Sequence, residues 1–131
     1  MFELNNYDIT KEDLDLMLEL NPEIVYLDPE EIKYNLDILK AIGCSSSDIV
    51  NIIVANPFYL TKAAEDIIEL IAKFKSFNFS NLNLLFDSNP FLLNKDAFEI
   101  DDYIKKEIAK NKELEDIIDE LETNPYLIDE E

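Results

Sequence analysis

Residues 55–62 read "ANPFYLTK", and the same shape returns as "LNPEIVYL" at 20–27, "SNPFLLNK" at 88–95 and "TNPYLIDE" at 123–130. Four of the five prolines follow an asparagine and lead into an apolar cluster. They are Pro22, Pro57, Pro90 and Pro125, separated by 35, 33 and 35 residues. A period near 34 with helical composition signals stacked supersecondary units. A residue before proline is pushed out of the right-handed helical basin, so each Asn-Pro stops the helix ahead of it. Asparagine tolerates the unusual backbone angles of a helix end and can hydrogen-bond the local backbone.

Each unit reads alike. A short apolar-periodic segment precedes the stop, as with Ile49, Ile52 and Ile53 or Leu114, Ile117, Ile118 and Leu121. Spacing of i, i+3 and i+4 puts these groups on one helical face. After the stop, "EIVYL", "FYL", "FLL" and "YLI" are too apolar to be exposed loops, and they predict a tucked 3₁₀ turn plugging the joint between helices. A longer helix follows in three units. Asp28-Pro29-Glu30-Glu31 opens the first, with Asp as N-cap and Pro at the first helical position, and Gly43 closes it. Thr61 is the expected cap of the second, with Ala64, Ile67, Ile68, Ile71 and Phe74 facing inward. Asn94 or Asp96 opens the third, with Ile100, Tyr103, Ile104 and Ile108 inward. Ser45–Asp48 and Thr10–Asp13 fit capping boxes for two of the short helices. The fold class is all-α, a helical-repeat solenoid of about 34-residue helix–3₁₀–helix units within one domain over 1–131. The fourth unit lacks its long helix, so it is either a terminal cap or completed by another chain.

Composition narrows function. The 131 residues carry 30 acids against 11 basic residues, a net charge of −19, and every basic residue is lysine. Without arginine the planar fork that grips phosphates and guanine edges is missing. A polyanion is repelled, so direct nucleic-acid binding is not expected. Residues 1–32 hold ten acids and one lysine, and residues 113–131 hold nine acids and none, whereas the middle is near neutral. These acidic ends read either as solvated caps or as surfaces offered to a basic partner. The start has no basic, then apolar, signal pattern, and no apolar run approaches the roughly 18 residues of a membrane span. The expected compartment is the cytoplasm. With one cysteine (Cys44), one glycine and no histidine, a phosphate loop, a calcium loop, a zinc constellation and a cysteine–histidine pair are all out of reach. Asp101 and Asp102, adjacent on a helix, diverge by about 100° and do not converge on one proton. No enzyme activity and no cofactor are expected.

Residues 42–76, "IGCSSSDIVNIIVANPFYLTKAAEDIIELIAKFKS", resemble a repeat of the mitochondrial transcription termination factor (mTERF) family. Gly43, Ser45–Ser47, Ile49, Ile52, Ile53, Pro57 and Leu60 occupy the places of that family's glycine–serine opening, short helix and proline–hydrophobic turn. The resemblance implies a curved all-α solenoid. Nucleic-acid binding in the family depends on a basic concave surface. No binding residue transfers to this acidic chain, in which Lys62, Lys73, Lys95, Lys105 and Lys112 would have to line one face.

The reading that follows is a non-enzymatic protein–protein interaction module with a protein partner, one that the acidic ends would suit if it is basic. The alternative is an acidic mimic of nucleic acid that occupies the basic groove of a nuclease or regulator. Candidate binding residues are Tyr34, which points away from its helix's apolar stripe, and the acids Glu113, Glu115, Asp116, Asp119, Glu120 and Glu122. The aromatic residues of the post-proline turns, Phe58, Tyr59, Phe91 and Tyr126, are expected to pack in the core.

Overall fold

A computed structural model describes Leu4 and residues 6–129. Seven α-helices alternate with short turns, and no β-strand occurs among the described residues. The short helices are α1 (Lys11–Leu20), α3 (Ser46–Ala55), α5 (Leu82–Ser88) and α7 (Leu114–Thr123). The long ones are α2 (Pro29–Ala41), α4 (Ala64–Ser76) and α6 (Ala97–Ile108). Each Asn-Pro opens a five-residue 3₁₀ turn: Pro22–Tyr26, Pro57–Thr61, Pro90–Asn94 and Pro125–Asp129. Helices α1, α3 and α5 pack side by side in one layer, α2, α4 and α6 in a second, and successive 3₁₀ turns stack at the joint. The all-α repeat architecture is as the period predicts.

The caps follow local chemistry. Ser45 and Asp48 exchange hydrogen bonds of 3.1 and 2.9 Å across the first turn of α3, and Asp96 and Glu99 do the same for α6. Asp28 accepts from the Glu30 amide ahead of α2. The long helices end in a left-handed residue: Gly43 at φ +99°, Asn78 at +69° and Asn111 at +67°. Asn is the usual non-glycine occupant of that position, so two asparagines do for α4 and α6 what the single glycine does for α2.

Several expectations fail in instructive ways. Thr61 does not cap α4, because the N-cap is Ala63. The Thr61 hydroxyl instead donates to the Phe58 carbonyl and accepts from the Asn21 side chain. Asn94 likewise lies in the third 3₁₀ turn, and its amide oxygen accepts from Asn56. Ile68 and Ile108 are exposed rather than inward, since the apolar stripes of α4 and α6 are narrower than the run of isoleucines suggests. Tyr59 is fully buried, but Phe58, Phe91 and Tyr126 are 47%, 46% and 45% exposed. They occupy the place just after each proline, which faces out of the joint in all three units.

The asparagines do more than stop helices. Asn21, Asn56 and Asn89 are buried, and each side-chain amide donates to the carbonyl of the next unit's proline. The distances are 3.1 Å to Pro57, 3.0 Å to Pro90 and 3.1 Å to Pro125. This ladder ties repeat to repeat across about one period, and satisfies buried acceptors that no water reaches. A second staple is Lys62, whose ammonium donates to the Leu93 and Lys95 carbonyls at 2.6 Å each. Asn35 on α2 adds a third: its amide donates to the Lys62 carbonyl at 3.0 Å, while the Tyr59 hydroxyl donates to the Asn35 carbonyl.

The two ends of the stack differ. Met17, Ile52 and Leu85, each five residues before an Asn-Pro proline, are buried, whereas Glu120 holds that place in the fourth unit and is exposed. The fourth unit is therefore polar at a place where the other three are apolar. In the first unit Val25 is 58% exposed where Leu60 and Leu93 are buried.

Candidate functional site

Helices α1, α3 and α7 each begin eleven residues before their Asn-Pro proline, but α5 begins only eight before Pro90. The third unit has lost most of a helical turn. Its N-cap position, Asn81, makes no side-chain cap, and Asn78 and Ser80 lie outside any helix. The first half of α7 consequently lies across from the α4–α5 link rather than from a turn of α5. A groove of about 800 Å³ opens there, between the α4–α5 link and α7.

Its floor and one wall are Phe77, Leu114 and Ile118, with Asn78 and Ser80 on the link. Its other wall is acidic: Glu113, Glu115, Asp116, Asp119 and Glu122. Five of the six acids that the sequence marks as candidates are thus gathered on one groove. Glu120 is not; it turns away and pairs with Lys112 at 3.0 Å. Among the described residues, none of the five groove acids makes an ion pair with a lysine of the chain. Glu115 and Asp119 are four residues apart, and Asp119 is three from both Asp116 and Glu122. Like charges at these spacings cost each helix pair about 0.2–0.5 kcal/mol. Acids near the N-terminus of α7 regain part of that from the helix dipole, but Asp119 and Glu122 lie too far along to do so.

Tyr34 lies elsewhere, on α2, 54% exposed. It borders a smaller cleft of about 300 Å³ with Glu30, Glu31, Asn35 and Lys62. The structure does not bring it to the acidic groove, so the candidates fall on two separate surfaces. The half-exposed Phe58, Phe91 and Tyr126 form a third feature that core-packing logic missed. Their recurrence just after three of the four Asn-Pro prolines was the available signal.

The lysines are mostly committed internally. Lys73 and Lys105 both reach Asp101, at 3.5 and 2.7 Å, and Lys106 pairs with Asp102 at 2.9 Å. These two adjacent carboxylates engage different partners, as their divergence requires. Lys95 pairs with Asp129 at 2.9 Å, and Lys112 bridges Glu107 and Glu120. Glu107 is buried, and Lys110 at 2.7 Å, then Lys112 at 3.2 Å, hold its carboxyl below the ordinary range. Lys62 is occupied at the inter-repeat carbonyls, and burial lowers its ammonium pKa. All five lysines that could have lined a phosphate-binding face are tied down in this way. Cys44 is buried, and desolvation pushes its thiol up to about 12, well away from a reactive thiolate. No helix among the described residues is long and apolar enough to cross a membrane.

A family model for mTERF matches residues 2–75, more than half of the chain. The chain belongs to the mTERF family. No individual curated protein matches it. The mTERF match covers the first two Asn-Pro units, and the remaining two repeat the same helix–3₁₀ geometry. The acidic groove lies beyond the matched segment, in the third and fourth units.

Proposed function

We propose that this mTERF-family protein is a non-enzymatic protein–protein interaction module whose binding site is the groove beside α7. The observation that carries the reading is a set of five carboxylates, none paired with a lysine among the described residues, gathered on one groove with Phe77 and Leu114. Charges without counter-ions on one helix weaken it, and an arrangement that lowers stability without a local gain points to use by a partner. The same observation disfavours nucleic acid as the ligand, because the groove repels phosphate and the central lysines are engaged with the chain's own carboxylates and carbonyls.

Affinity capture with mass spectrometry from a nuclease-treated host lysate tests it, with the whole chain and its Asp116→Lys/Asp119→Lys variant as baits. The expected result is a saturable protein that the wild type retains and the variant loses. Recovery of tightly held, salt-sensitive DNA or RNA from untreated lysate, with no variant-sensitive protein, overturns the reading.

A further inference from the structure

Resting on that reading of the groove, we infer that its occupant is a basic amphipathic helix that takes the place of the missing first turn of α5. Wherever α1, α3 and α5 run alongside one another, a short helix is flanked by a short helix. The first half of α7 instead faces the α4–α5 link across the groove, because α5 starts three residues late. The chemistry of the groove is set by what faces it. Leu114 is partly buried and lies one turn from Ile118, so the two present a short apolar strip along the axis of α7, with Phe77 across from it. An apolar stripe on the incoming helix would cover that strip, as helix-in-groove recognition does.

Charge decides the rest. Groove residues supply five carboxylates and no lysine. A helix whose flanks carry Lys or Arg would neutralise them, whereas a second copy of this chain at −19 would add to the repulsion. An extended basic peptide would satisfy the acids but leave the apolar strip uncovered. A helix with one apolar face and basic flanks meets both demands.

The probe is a designed Leu/Lys peptide of about 18 residues, long enough for five helical turns, with leucines on one face. Its control has the same composition with the leucines scattered. Fluorescence anisotropy with the whole chain should give an affinity at least about tenfold tighter for the amphipathic peptide than for the control. Two variants locate the site: Asp116→Lys/Asp119→Lys reverses charge, and Ser80→Tyr fills the groove with no change of charge. Each should weaken the amphipathic peptide about tenfold while leaving the helical circular-dichroism signal intact. Equal binding of both peptides overturns the helix inference yet leaves a protein-binding role standing, since the acids would then act as an unspecific polyanion. Binding of neither peptide, or binding indifferent to both variants, also overturns it, and the capture experiment separately decides the broader reading.

Discussion

Replacing Asn89 and Asn124 separately by alanine distinguishes a local helix stop from an inter-repeat bond. Both asparagines have the same backbone, φ −139° and ψ 84° against φ −137° and ψ 88°. Both accept from the amide two residues on, Phe91 at 3.2 Å and Tyr126 at 3.3 Å. They differ in one respect. Asn89 is fully buried and donates to the Pro125 carbonyl at 3.1 Å, whereas Asn124 is exposed and makes no such bond among the described residues. Loss of the local bond should therefore cost the two variants alike, a few tenths to about 1 kcal/mol. Asn89→Ala should cost about 1–3 kcal/mol more, the penalty for a broken bond in a site that water does not enter. Against a total stability of about 5–15 kcal/mol this is easily measured. Urea unfolding followed by circular dichroism should place the Asn89→Ala midpoint about 1 M below that of Asn124→Ala, with unchanged m-value. Equal midpoints would refute the ladder as a source of stability and leave asparagine as a turn-former only.

Other consequences are equally direct. Gly43→Ala should cost about 1–2 kcal/mol through left-handed backbone alone, because an added Cβ meets nothing nearer than the Asn83 side chain at 3.8 Å; the same change in thermal midpoint should follow for Gly43→Ser. Cys44 should resist iodoacetamide at pH 8 in the native protein and react promptly in urea, since burial holds the thiol protonated. The depressed Glu107 carboxyl stabilises the fold fully above the unfolded carboxylate pKa of about 4.3, and that gain is lost as pH falls toward its folded value. Glu107→Gln should accordingly be less stable than wild type at pH 7, with the gap narrowing below about pH 4 in urea titrations. Asp119→Lys should raise the thermal midpoint slightly, by removing repulsion from Glu115, Asp116 and Glu122. A drop instead would mean that the α7 carboxylates are not in excess.

The sequence discloses what repeats locally and conceals what acts across the period. Proline fixes where a helix must stop, and Ser45, Asp28 and Gly43 mark its neighbours' ends, because each of those effects is settled within four residues. The ladder is different. A pre-proline stop demands only an extended backbone, which most residues adopt. Four asparagines in four stops therefore carry more than the stop requires. That surplus was the visible sign of a partner some 36 residues away, although nothing local names the acceptor. The groove has a similar trace. The separations of 35, 33 and 35 residues show the third unit two short, and a deletion ahead of "LNLLFDS" must be absorbed by a helix or its link. The structure absorbs it in the first turn of α5, whose N-cap Asn81 makes no side-chain cap. The acids of α7, otherwise a solvated face, thereby come to line a cavity with an apolar floor. A two-residue irregularity in the period, rather than any motif, sets this chain's third and fourth units apart from its first two.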